Sequence, residues 1–168
     1  MAKSAKRETT DLLVLNGPNL NLLGRRQPEI YGRDTLDDIA AAVVARAADF
    51  GLSVDFRQSN HEGHLVTWAQ EARDAARAII INPGGLSHTS VALLDALTFT
   101  ELPVIEVHLS NIHRRESFRH HSFVSAVAQG IIVGLGPQGY VLAVEAAANI
   151  LKAAPRKSGG PKSKKRRA

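Results

Sequence analysis

The 168-residue sequence predicts a doubly wound α/β domain: a five-stranded parallel sheet of order 2-1-3-4-5 with helices on both faces. Three observations carry this. Five short apolar runs alternate with longer amphipathic or alanine-rich stretches, the pattern of strands joined by crossover helices. The runs are near-continuous, as in Ile79-Ile80-Ile81 and Ile131-Ile132-Val133, which is what strands covered on both faces need. Asparagine, glycine, histidine and serine follow three of them, a polar rim where open parallel sheets bind ligands, beyond the strands' carboxyl ends.

The first strand is predicted at 11–16, DLLVLN, and it ends in Asn16-Gly17-Pro18-Asn19. A helix over 35–50 follows, with Asp34 or Thr35 to cap it and Gly51 where a glycine closes a helix in the left-handed conformation. Strand two is LSVDFRQ, 52–58. Ser59-Asn60-His61-Glu62, serine with glutamate three residues on, reads as a capping box opening a helix over 61–76. Strand three, AIIIN at 78–82, runs into Asn82-Pro83-Gly84-Gly85, and a helix over 87–100 then aims its N-terminus at the rim. Strand four, PVIEVH at 103–108, ends in His108-Leu109-Ser110-Asn111. A shorter helix near 122–128, strand five at 130–135 and a helix over 137–153 complete a flavodoxin-like arrangement.

At 44% hydrophobic content this length builds one core without staples. There is no cysteine, so disulfides, thiolate catalysis and cysteine-ligated metals are excluded together. No apolar run approaches the ~20 residues of a membrane span and the start has no apolar signal core, so a soluble, cytoplasmic protein is expected. The net charge of +5 is not a nucleic-acid footprint of the domain. Taking away the +7 of residues 155–168 and the +2 of residues 1–9 leaves 10–154 at −4. The expected organisation is therefore a disordered tail at 1–10, one catalytic domain at 11–154 and a disordered basic tail at 155–168, with no specific nucleic-acid partner.

His88 and His108 stand at the ends of adjacent predicted strands, and Glu106, one pleat period before His108, can fix a ring tautomer. The bland alternatives are satisfied structural histidines and a glutamate paired in the core. His61-Glu62-Gly63-His64 has its histidines three apart, not four, and His120-His121 are adjacent, so no metal site is implied. NGPNLNLLG and NPGGLSHTS lack a Walker lysine and the G-x-G-x-x-G spacing; they suit a small carboxylate or hydroxylated ligand better than a nucleotide. No lysine occurs between Lys6 and Lys152, which removes Schiff-base chemistry from the core and leaves histidine, carboxylate or tyrosine to move protons. The loop RRQPEIYG, 25–32, sets Tyr31 five residues beyond Arg26. A free phenol titrates at ~10, and a guanidinium at ~4 Å supplies roughly 4 kcal/mol at an effective dielectric near 20, enough to bring it close to neutrality. A surface tyrosine in a turn is the alternative.

The combination NGPNLNLLGRRQPEIYG, FRQSNHEGHL, INPGGLSHTSVALLDAL, IEVHLSN, FRHHS and GLGPQGYVLA, spread over about residues 11–150, closely resembles the type II 3-dehydroquinate dehydratases. The resemblance implies a cofactor-free and metal-free elimination of water from 3-dehydroquinate, giving 3-dehydroshikimate through an enolate, in the shikimate route or in quinate breakdown. Residue by residue it makes Tyr31 the base, Arg26 the group that lowers its pKa, His108 the general acid, Glu106 its orienter and Asn19 an enolate stabiliser acting through water. Asn82, His88, Leu109, Ser110 and Arg119 match substrate-binding positions, Arg119 answering the carboxylate. The family's assembly implies a homododecamer, a tetramer of trimers, in which Asp95 reaches a neighbouring active site. Gln27 and Leu94 depart from the pattern, which has glutamate and arginine there. Beside this stand two other readings of the residues: a flavodoxin-like module binding a small phosphorylated or nucleotide ligand through the asparagine–glycine loops, and an RNA-associated protein acting through its tail.

Overall fold

A computed structural model describes residues 9–25 and 33–153 of the chain. Five parallel strands, β1 (Leu12–Asn16), β2 (Val54–Gln58), β3 (Ala78–Asn82), β4 (Val104–His108) and β5 (Gly130–Val133), form one sheet in the order β2-β1-β3-β4-β5. Every neighbouring pair is parallel, with Asn16 opposite both Gln58 and Asn82. The predicted fold class and strand order are those observed.

The apolar runs are continuous because alternate side chains of the central strands enter two different cores. Leu12, Val14, Ile80, Ile105 and Val107 pack on one face against α1 (Leu36–Asp49) and α4 (Gln138–Ala153), through Ile39, Val43, Ala143 and Val144. Leu13, Leu15, Ile79, Ile81 and Val104 pack on the other against α2 (Glu62–Ala75) and α3 (Val91–Thr100), through Leu65, Ala69, Leu93 and Leu97. All five residues of β1, β3 and β4 are buried, whereas the edge strands β2 and β5 are mostly half-buried.

The helix ends show which local signals prevail. Thr35, not Asp34, caps α1: its Oγ1 accepts from the Asp38 N–H at 3.2 Å while Asp38 accepts from the Thr35 N–H at 2.9 Å. Gly51 closes the helix at φ 67°, its N–H donating to Ala48 O and that of Leu52 to Ala47 O. The capping box expected at Ser59 does not form. The Ser59 N–H donates to Asn16 O and extends the sheet ladder, so α2 starts three residues later with His61 as its cap. Ser59 Oγ instead accepts from the His61 N–H at 3.0 Å and bonds to His64 Nδ1 at 2.9 Å. The helix expected over 87–100 is also two pieces, a 3-10 turn over Gly84–His88 and then α3, whose cap Ser90 accepts from the Leu93 N–H at 2.9 Å. Gly84, left-handed at φ 58°, starts that turn, and the rim after β3 is therefore built by turn backbone rather than by an α-helix N-terminus. The short helix expected near 122–128 is a single 3-10 turn, Val124–Ala126. β5 stops at Val133 because Gly134 turns to φ 83° against Asn111.

Gly17 joins β1 to the rim where the chain after β3 crosses closest. A Cβ there would lie 2.2 Å from the Pro83 carbonyl oxygen, and its N–H donates to Asn82 O at 2.8 Å. Because the obstacle is backbone, Gly17→Ala is expected to cost about 1–3 kcal/mol of stability, read as a lower midpoint in urea unfolding. An unchanged midpoint would mean that the two loops separate freely.

Candidate active site

The carboxyl ends of β1, β3 and β4 open into a cavity of ≈ 230 Å³. Asn19, Asn82, His88, His108, Leu109, Ser110 and Arg119 all line it. Seven residues singled out from the sequence, drawn from three loops and separated by as much as 100 positions, thus meet at one place. Glu106 stands behind His108. Asp95 lies elsewhere, exposed on α3 between Val91 and Phe99, which are 51% and 52% exposed at helical spacing of four on either side. Arg26 and Tyr31 lie outside the described residues. The chain runs into their segment from Leu22 and Leu23, which line the cavity, and returns beside it, since a Cβ on Gly24 would lie 2.9 Å from Arg33 O.

Glu106 is fully buried, and both carboxylate oxygens are engaged. Oε1 takes His108 Nε2 at 2.7 Å and the Ser122 hydroxyl at 2.6 Å, while Oε2 takes the Ser125 hydroxyl. Burial pushes its pKa up, but the bonds from His108, Ser122 and Ser125 outweigh burial and hold it below the ordinary carboxylate value. An ionised Glu106 only accepts, so the proton on that side of the ring sits on His108 Nε2. Nδ1 is then the ring nitrogen of His108 left to meet a ligand, a lone pair when the ring is neutral and an N–H when it is protonated.

His88 stacks near-parallel to His108, with ring centroids 6.5 Å apart and 13° between planes. Its Nδ1 donates to His121 O at 2.7 Å, which leaves Nε2 as the nitrogen free to meet a ligand. Asn19 is one of two described non-glycine residues at positive φ, 69°, a conformation asparagine tolerates. Its N–H is pinned by Asn60 Oδ1 at 2.9 Å. Arg119 keeps its guanidinium at the rim by stacking on Phe118 at 5.0 Å and donating from Nε to Glu116 at 2.9 Å. That leaves the terminal nitrogens as a fork suited to a carboxylate.

Four residues of this neighbourhood were not anticipated. Arg115 also lines the cavity; the run RRESFR offered several arginines and no period to separate them. Ser122 and Ser125 hold Glu106 from 16 and 19 residues away, a pairing no sequence spacing announces. Tyr140 reads as an apolar position of α4, and it is fully buried, yet its hydroxyl bonds to Asn82 beneath the cavity.

An open α/β sheet with an oriented imidazole, a second imidazole and a guanidinium around one cavity is the arrangement of an enzyme suited to moving protons on a small anionic molecule. The profile described as Dehydroquinase class II matches residues 10–148. The 3-dehydroquinate dehydratase of Caulobacter sp. (strain K31) is 62% identical over 140 residues, covering 83% of this chain and 95% of that protein. That of Streptomyces coelicolor is 64% identical over 135 residues, covering 80% and 86%. Among solved structures, the type II dehydroquinase from Propionibacterium acnes superposes with a TM-score of 0.80 at 47% identity, covering 86% of this chain and 99% of that one. The chain belongs to the class II dehydroquinase family, and it is a lyase of that type.

Proposed function

We propose that this protein is a 3-dehydroquinate dehydratase, removing water from 3-dehydroquinate to give 3-dehydroshikimate on the shikimate route to aromatic amino acids. The observation that supports it most is the Glu106–His108 pair, 2.7 Å apart, with His108 facing the cavity that Arg119 also lines. The substrate carboxylate takes the Arg119 fork and the backbone N–H groups of Leu109 and Ser110. Asn82 and His88 hold its hydroxyl groups. Tyr31, as phenolate beside Arg26, takes the proton next to the ketone, and the electron pair moves into an enolate steadied through water by Asn19. As the ketone re-forms, the carbon–oxygen bond at the β position breaks, and the departing hydroxyl takes the Nδ1 proton of His108 and leaves as water. Tyr31 ends as phenol and His108 as neutral imidazole; solvent carries the proton from one to the other before the next turnover.

The assembly belongs to the same reading: a homododecamer of four trimers in the cytoplasm, in which the α3 face bearing Asp95 abuts a neighbouring site. The exposed Val91 and Phe99 on either side of Asp95 favour a covered face there. Among the described residues no helix is long and apolar enough to cross a membrane.

The test is direct. Purified protein mixed with 3-dehydroquinate is expected to generate the ultraviolet absorbance of a conjugated enone. The rate is expected to survive EDTA, and also borohydride added with substrate, because no lysine stands between Lys6 and Lys152. Absence of enone would refute the activity, and borohydride inactivation with a covalent mass increase would refute the enolate route.

A further inference from the structure

Beneath the cavity runs a chain of buried hydrogen bonds whose direction is dictated at both ends by backbone. At one end Asn16 Nδ2 donates to Arg57 O at 3.0 Å. A carbonyl only accepts, so the Asn16 amide is fixed with its oxygen turned the other way, where it takes the Tyr140 hydroxyl proton at 2.6 Å. At the other end the Gly84 N–H, which only donates, meets Asn82 Oδ1 at 3.2 Å. Asn82 Nδ2 is thereby turned to the Tyr140 oxygen at 2.9 Å. The phenol has one proton, already given to Asn16, so it can only accept from Asn82. Each assignment requires the next, and no alternative flip satisfies both backbone groups.

We propose that Tyr140 is a positioning residue for the dehydratase reaction, which acts through Asn82 by holding its amide, together with the Gly84 N–H, in the one orientation that leaves an Nδ2 hydrogen for the substrate. The inference rests on the functional reading above, in which Asn82 touches substrate. Asn82 is 3% exposed and lines the cavity, whereas Asn16 and Tyr140 are fully buried and do not. The Gly84 N–H holds the oxygen end of this amide at 3.2 Å and Tyr140 holds the nitrogen end at 2.9 Å; with the Gly84 bond alone the NH2 end would lose the anchor that aims its second hydrogen at a hydroxylated ligand. Burial pushes the Tyr140 phenol far above the ordinary tyrosine value, against a smaller lowering by Asn82, so the phenol stays neutral and its single proton stays committed. The chain has two tyrosines. On this assignment Tyr31 moves a proton and Tyr140 never does.

A double-mutant cycle on the full-length protein tests this, with kcat, KM and melting temperature measured for wild type, Tyr140→Phe, Asn82→Ala and the double variant. Tyr140→Phe keeps the ring and its packing. It is expected to lower kcat/KM about tenfold, the scale of one misplaced buried hydrogen bond, mainly through KM because Asn82 holds substrate and transition state alike. In the Asn82→Ala background the same change is expected to alter kcat/KM by less than about twofold, since the residue it acts through is gone. Asn16→Ala gives a second, independent probe. It keeps the phenol but removes the acceptor of its proton, so that the hydroxyl is no longer held in the orientation that accepts from Asn82; a loss in kcat/KM in the same direction is expected. A Tyr140→Phe variant with wild-type kcat/KM and only a lower melting temperature, or a loss of equal factor in both backgrounds, would overturn the proposal while leaving the dehydratase reading intact. A wild-type protein that produces no enone would overturn both.

Discussion

Replacing Tyr31 by phenylalanine is expected to lower kcat by about 10²-fold or more, the scale of general base catalysis. On the proposed assignment the deletion removes the oxygen that takes the proton, and a water in its place would lack a comparable hold. KM is expected to change less, because Asn82, His88, Ser110 and Arg119 line a cavity that the substitution leaves in place. Arg26→Ala should lower kcat as well, with a signature that Tyr31→Phe lacks. Loss of a neighbouring cation favours the neutral phenol, so the limb of the kcat/KM–pH profile that reports the base should move to higher pH. Arg26→Lys should recover part of this, since an ammonium supplies charge without the planar fork. If Tyr31→Phe keeps near-wild-type turnover, the base lies elsewhere, and the structure narrows the search. Tyr140 is removed by its burial and its committed proton, and Glu106 by three donors on its oxygens, which points first, among the described residues of the site, to His88 Nε2 and His108 Nδ1.

How much of this was legible in the sequence depends on how local each cause is. The central strands were legible because being covered on two faces writes itself into consecutive residues: Ile79, Ile80 and Ile81 are all fully buried, as a strand between two helical layers requires, and the run is too short for a buried helix. The rim was legible because strand ends place their polar residues in order, as at Asn82, His108 and Ser110. Ser59 misleads for the opposite reason. Its local pattern is that of a capping box, but its N–H is taken by Asn16 from another strand, and the sheet ladder prevails over the helix cap. Ser122, Ser125 and Tyr140 carry no local mark at all. Their partners are distant in sequence and close only once β4, the 3-10 turn over Val124–Ala126 and α4 have packed. Residues that line the cavity cluster in recognisable loops, whereas those that orient them are recruited from wherever the fold brings a hydroxyl.

Glu106→Gln should show most clearly that the orienting residues are as necessary as the ones they orient. Glutamine has the same shape, yet it places an NH2 where the site needs an acceptor for one of three donors: His108 Nε2, the Ser122 hydroxyl and the Ser125 hydroxyl. Either a donor faces a donor in a fully buried place or the His108 ring gives up its tautomer, and in both cases the protonated ring loses the anion that stabilises it. A fall in kcat of about 10²-fold or more is expected. Stability should respond with a definite sign. The folded-state pKa of Glu106 lies below its unfolded value, so its contribution is fully present above ~4.3 and is lost as pH falls through the folded pKa. Across that acidic window the wild-type protein binds fewer protons folded than unfolded and gains stability with rising pH; Glu106→Gln lacks the titrating group, and its stability should rise less steeply. Urea unfolding of the two proteins between about pH 3 and 6 measures the difference in slope. Parallel curves would mean that burial cancels the three bonds and leaves the carboxyl unshifted, and a wild-type curve that rises less steeply than the variant's would mean that the buried carboxyl is protonated in the native state, so that His108 would need another source for the orientation of its ring.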